Sequence, residues 1–132
     1  MTLVDTNVLL DLVTNDAAWA GWSIRQLDIA ALEGPLIISS VVYAELSVRF
    51  ASIEDLDAML GQAGVELADI PRSALFLAGK VFQRYRAAGG ARSGVLPDFF
   101  IGAHAAVSGA RLLTRATARY RTYFPTVDLI TP

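Results

Sequence analysis

Short apolar runs that each lead directly into a helical pattern are the feature that most limits how this chain can fold. "TLV" (residues 2–4) runs into "NVLLDLV", "LIIS" (36–39) into "SVVYAELSVRF", and "ARLLT" (110–114) into a short helix around "ARYRTYF". Strands that alternate with helices predict a mainly parallel sheet covered by helices on both faces. The remaining segments keep the alternation. A helix across "AAWAGWSIRQLDIAALEG" stops at Gly34-Pro35, and "SIEDLDAML" has Ser52 as its N-cap with Asp55 in the first turn. "GVELADI" is a candidate edge strand, Pro71 opens a long helix, "GGARSG" is a surface loop, "PDFFIGAHAAVSG" is a helix and "VDLI" a last strand. The expected architecture is α/β, with four to five strands in a single domain over residues 1–132.

Hydrophobic residues make up 54% of the chain and charged ones 18%, so apolar surface should remain for a partner, and an oligomer is expected. The formal net charge of -2 argues against a polyanion binder held by overall electrostatics. Arg111, Arg115, Arg119 and Arg121 nevertheless crowd into one late stretch, where they could form a local positive rim. There is no cysteine and only one histidine, which excludes disulfides, thiolate metal sites and a His-rich zinc site. No apolar run reaches membrane-spanning length and the first residues do not read as a signal peptide, so a cytoplasmic protein with no membrane association is expected.

In folds of this kind the ligand site lies beyond the carboxyl ends of the strands, near a switch in strand order. Asp5 stands at such an end. An aspartate there can simply cap the following helix, so its meaning depends on whether other acids join it. Glu45 is the least expected residue of its helix. At 3.6 residues per turn, its neighbours within about 60° are Val41, Val42, Val48 and Arg49, an apolar stripe, although Arg49 also offers an i,i+4 ion pair. Asp98 follows Pro97 at a helix start, where it would favour the helix dipole, and shares its face with Ile101, Gly102 and Ala105, a small apolar face suited to packing on the sheet.

Three acids that begin or line helices at one end of the sheet repel one another. Two carboxylates about 4 Å apart cost up to ~4 kcal/mol at an effective dielectric near 20. Proton uptake or a hard divalent cation would relieve this, and oxygen ligands without histidine or cysteine suit Mg²⁺ or Mn²⁺. His104 lies about 120° round the helix from Asp98 and reads as structural, as do Trp19, Trp22, Phe76, Phe82 and Tyr85, taken as core or dimer-contact aromatics. No P-loop, Rossmann glycine fingerprint or nucleophile elbow is present. An acid-lined phosphatase is a weaker reading, since no Asp-x-Asp pattern stands at Asp5.

The segments "LVDTNVLLDL", "ISSVVYAEL", "LPDFFIGAHA" and "LLTRATARYRTYFP" resemble, in that order and over nearly the whole chain, the PIN-domain ribonucleases of VapC type, toxins of bacterial toxin–antitoxin pairs. The resemblance implies a PIN-like three-layer α/β/α fold, with Asp5, Glu45 and Asp98 as acidic ligands of Mg²⁺ or Mn²⁺. It implies polar neighbours of the site at Asn7, Ser39 and Thr114, and Thr6, Arg115 and Thr117 join them as supporting or substrate-positioning residues. Also implied are an RNA substrate hydrolysed by a metal-activated water, a homodimer, and a VapB-like antitoxin that blocks the acidic pocket in a heterotetramer or larger assembly. The chain departs from the family pattern at Ala116, where an aspartate commonly follows "TR". That departure puts a second metal in doubt and raises an alternative, a catalytically weakened PIN domain that binds antitoxin or RNA without cleavage.

Overall fold

The computed structural model describes residues 1–132. In chain order the elements are β1 (Thr2–Val4), α1 (Thr6–Val13), α2 (Ala20–Glu33), β2 (Leu36–Ser39), α3 (Ser40–Ser47), α4 (Ile53–Ala63), β3 (Val65–Ala68), α5 (Arg72–Ala87), α6 (Pro97–Ser108), β4 (Arg111–Leu113), α7 (Ala118–Tyr123) and β5 (Leu129–Ile130). The five strands form one sheet in the order β3-β2-β1-β4-β5, and every pair is parallel. Short strands with helical crossovers between them leave little alternative, because a parallel neighbour cannot be reached through a tight turn.

β1 is central. Leu3 stands opposite Ile37 of β2 on one side and Leu112 of β4 on the other. The chain steps outward from β1 through β2 to β3, then returns to the far side of β1 for β4 and β5. The reversal falls between β1 and β4, and it opens the crevice at their carboxyl ends. Asp5 follows β1, Ser39 closes β2 and Thr114 follows β4, so all three reach that end of the sheet.

Every residue of β1 and β2 is buried, as strands covered on both faces must be. They anchor a core cluster that includes Val8 and Leu9 of α1, Val42 and Leu46 of α3, Phe99 and Ile101 of α6, and Phe124. β3 is an edge strand, as its composition suggests. Only Val65 in it is buried, and Glu66 is exposed, a charge that discourages pairing with another chain. At the other edge, β5 is shorter than "VDLI" predicts. Leu129 and Ile130 pair with Leu112 and Leu113, whereas Val127 is buried outside the ladder.

Two helix expectations shift. α2 begins at Ala20 rather than Ala17, because Asp16 Oδ1 accepts from the N–H groups of both Ala18 and Trp19 at 2.9 Å and holds them in a turn before the helix. α3 ends at Ser47, and Val48 beyond it is 84% exposed. The buried face of α3 is therefore Val42 and Leu46, and Glu45 lies on an exposed flank instead of in a buried apolar stripe. The small face of α6 is buried as expected, but at Gly102 its partner is not the sheet. A Cβ there would lie 2.3 Å from the Phe124 ring. No helix is long and apolar enough to cross a membrane.

Candidate functional site

Asp5 occupies the N-cap position of α1 in an extended conformation (φ -77, ψ 155), and its Oδ1 accepts from the Thr6 N–H at 2.7 Å. Capping uses only that oxygen. Oδ2 accepts from Thr114 Oγ1 at 2.8 Å, Tyr120 Oη at 2.9 Å and Asn7 Nδ2 at 3.3 Å. A helix cap needs none of these three, and they come from both ends of the chain. Asp5 is 4% exposed, and burial pushes its carboxyl above the usual carboxylate range. The hydroxyls of Thr114 and Tyr120 oppose that rise, and the negative charge of Asp98 adds to it.

Glu45 joins the same group through Thr6, whose Oγ1 donates to Glu45 Oε1 at 2.7 Å while its N–H serves Asp5. The i,i+4 pair with Arg49 does not form, so Glu45 has no local partner on its own helix. Asp98 sits in the first turn of α6 without capping it and accepts from Arg119 Nη1 at 3.2 Å. Tyr120, next to Arg119 on α7, links Asp5 to the cleft that Asp98 lines. Its hydroxyl is held far above the ordinary phenol range by burial first, then by the charges of Asp5 and Asp98, its bond to Asp5 and the charge of Glu45. Of the three carboxylates only Asp5 bonds this hydroxyl; Glu45 reaches Asp5 through Thr6, and Asp98 shares a cleft with Tyr120.

Partners within the chain offset part of the strain expected from the three acids, although Asp5 stays above its ordinary range. Asp5 has four donors, Glu45 has the Thr6 hydroxyl and Asp98 has a guanidinium. In these rotamers no group of three acidic or histidine side chains closes into a ready-made cation cage. The donor chemistry still fits a hard cation. Every candidate ligand is a carboxylate oxygen, and Glu45 Oε2 and Asp98 Oδ1 accept no hydrogen bond.

The supporting residues divide. Asn7 donates to Asp5 and to Thr114 Oγ1 (3.3 Å) and accepts from the Arg115 N–H at 3.1 Å. Thr114 is fully buried, bonded to Asp5, and accepts from the Ala116 N–H at 3.0 Å. Ser39 is buried at the end of β2, yet its hydroxyl has no hydrogen-bond partner and makes no bond to the acids. Thr117 lines a cleft of about 450 Å³ with Asp98, Ala116, Ala118, Arg119 and Tyr120. Ala116 is exposed and lines this cleft, so its position contributes no carboxylate there. His104 is buried with Nδ1 unpartnered, and burial holds its imidazole below the ordinary range.

The late arginines do not form one rim. Arg111 begins β4 and pairs with Glu33 and Asp128 at the amino end of the sheet, opposite the acids. Arg115 is clamped by Asp11 and Arg119 by Asp98. Two residues of this region escape a reading of the sequence: Tyr120 and Asp11. Tyr120 gives no signal, since one tyrosine in "ARYRTYF" looks like any helix aromatic. Asp11 does give one, because it follows Asn7 by four positions and so shares its face of α1.

A PIN domain family model matches residues 2–124. No curated protein matches the sequence. Among solved structures, the VapBC2 complex of Rickettsia felis bound to a promoter DNA fragment contains a chain similar at TM-score 0.75 and 20% identity, covering 99% of this chain and 98% of that one. A chain of the DNA-bound VapBC complex of Salmonella typhimurium is similar at TM-score 0.71 and 18% identity over 98% and 96% of the two chains. A chain of a toxin–antitoxin complex from Klebsiella pneumoniae reaches 24% identity at TM-score 0.66, over 100% and 98%. At these identities the likeness is one of fold.

Proposed function

The chain belongs to the PIN-domain family, and on that footing we propose that it is a Mg²⁺-dependent endoribonuclease, the toxin of a toxin–antitoxin pair. The observation that carries this reading is geometric: at the switch in strand order Thr6 bonds both Asp5 and Glu45, Tyr120 bonds Asp5, and Asp98 lines a cleft together with Tyr120, with oxygen donors alone. Those three carboxylates would hold Mg²⁺ or Mn²⁺. When bound, such an ion offsets charge on a phosphodiester and acidifies water for attack at phosphorus.

The chain's own residues prepare the site. Four donors fix Asp5 in one orientation, so its position does not depend on the rest of the acids. Thr6 sets Glu45 relative to Asp5. Arg119 and Thr117 flank the cleft beside Asp98, where a guanidinium and a hydroxyl suit an RNA phosphate. Exposed Leu75 and Phe76 on α5 offer apolar surface for a second copy or a VapB-like antitoxin, in keeping with the assemblies in which the similar folds occur. The unit is read as one domain over residues 1–132, acting in the cytoplasm. Purified protein incubated with structured RNAs should cut them with Mg²⁺ and stop with EDTA or as Asp5→Asn. Equal cleavage under all three conditions would remove the proposal.

A specific observation favours a second reading, a PIN domain that binds without cutting. Ala116 leaves the cleft without a further acid, and the three acids present already have protein partners. On this reading Ala116→Asp gains RNA cleavage that the native protein lacks. A fully active native enzyme excludes it.

A further inference from the structure

Asp11 is a buried acid that no step above uses. It lies on α1 at 3% exposure, and its two oxygens meet Arg115 in a paired fork, Nε to Oδ2 and Nη2 to Oδ1, both at 2.8 Å. Ser23 of α2 donates to Oδ2 at 2.7 Å. On its other side the guanidinium rests over the Trp19 ring, 4.9 Å from the centroid. Arg115 is therefore held by a carboxylate and an aromatic face, with its fork fully aligned to Asp11. Its guanidinium bonds Asp11 and makes no hydrogen bond to Asp5.

The consequence lies in the backbone. Arg115 directly follows Thr114, and its N–H donates to Asn7 Oδ1 at 3.1 Å. That bond fixes which way round the Asn7 carboxamide sits, and so directs Nδ2 toward Asp5 Oδ2 and Thr114 Oγ1. Asn7 and Asp11 lie one helical turn apart on α1, so one helix face receives both the side chain and the main chain of Arg115.

We propose that Asp11 is a positioning residue: by clamping the Arg115 side chain it holds the loop after β4 so that the Arg115 N–H orients Asn7 against Asp5. This rests on the reading of Asp5 as a metal ligand for its use in catalysis, although the orientation of Asn7 can be measured without it. The proposal also assigns Arg115 a role other than contact with RNA phosphate. A phosphate contact removed from an enzyme weakens substrate binding and lowers the salt dependence, whereas lost positioning acts on turnover and on metal affinity.

The test uses the full chain as native protein, Asp11→Asn, Arg115→Ala and the double variant Asp11→Ala/Arg115→Ala. The first readout is exchange of the Asn7 side-chain amide protons by NMR, the second Mn²⁺ affinity by calorimetry, the third kcat and KM on RNA. Arg115→Ala and the double variant should speed Asn7 amide exchange about tenfold or more and weaken Mn²⁺ binding on the order of 10-fold, the low end for loss of an outer partner of a ligand. KM for RNA should move less than about twofold while kcat falls. The double variant removes both charges and so leaves no uncompensated buried carboxylate, unlike Arg115→Ala alone. Unchanged Asn7 exchange in Arg115→Ala and the double variant overturns the proposal, and so does a raised KM at constant kcat. Faster Asn7 exchange in a protein that neither binds Mn²⁺ nor cuts RNA supports the clamp and sinks the nuclease reading alone.

Discussion

Tyr120→Phe removes one oxygen from a fully buried side chain and with it a single bond, the 2.9 Å donation to Asp5 Oδ2. A hydrogen bond to a charged group contributes about 1.5–3 kcal/mol. The same oxygen keeps Thr114 at 2.8 Å and Asn7 at 3.3 Å, so the carboxylate is not orphaned and the lower part of that range applies, about 2 kcal/mol. With unfolding entropy of about 2.1 cal/mol/K per residue, a chain of 132 residues loses ~7 °C in Tm for that amount.

The loss should depend on pH. Burial raises the folded Asp5 pKa above its unfolded value of 3.8, so folding takes up a proton at intermediate pH. Stability from this group is greatest in acid and declines as pH rises through the folded pKa. The Tyr120 hydroxyl works against that rise, and without it Asp5 titrates higher still. The two proteins therefore diverge as pH increases. In acid, where the hydroxyl meets a neutral carboxyl, the bond contributes only about 1 kcal/mol and the Tm difference shrinks to ~4 °C. Calorimetric melts of both proteins in EDTA, from acid to pH values above the folded Asp5 pKa, measure this. A difference below about 1 °C where the carboxyl is ionised, or one that does not change with pH, would refute the reasoning.

Two further substitutions probe the scaffold and the ion pair at the cleft. Gly102→Ala places a methyl 2.3 Å from the ring of Phe124, a residue 3% exposed with little room to move, and should cost about 1–3 kcal/mol, read as a lowered denaturant midpoint. Arg119→Ala breaks a pair whose side chains are 44% and 31% exposed, so stability should change by less than about 1 kcal/mol. The same variant frees Asp98 of its only partner, and calorimetry should show Mn²⁺ binding several-fold tighter than in the native protein.

The alternation of apolar runs with helical patterns was enough to place all five strands and Asp5 at the end of the first, because strand and helix are set by local dihedrals and by periodicity over a few residues. The partners of those acids were not legible. Thr6 meets Glu45 across 39 positions, Arg115 meets Asp11 across 104, and Tyr120 meets Asp5 across 115. Such contacts depend on how far each helix is rotated about its axis when it packs. Burial of Val42 and Leu46 turned Glu45 outward, where composition alone pointed to an apolar stripe. Arg111 and Arg115 look like neighbours in the chain, yet four extended residues at about 3.3 Å each carry them to opposite ends of the sheet. Sequence by itself determined which elements form and that Asp5 and Thr114 follow the carboxyl ends of neighbouring strands. Tertiary packing decided that Tyr120 and Thr114 would share Asp5, and that Asp11 would hold Arg115, because only the assembled core fixes the distances between segments so remote in the chain.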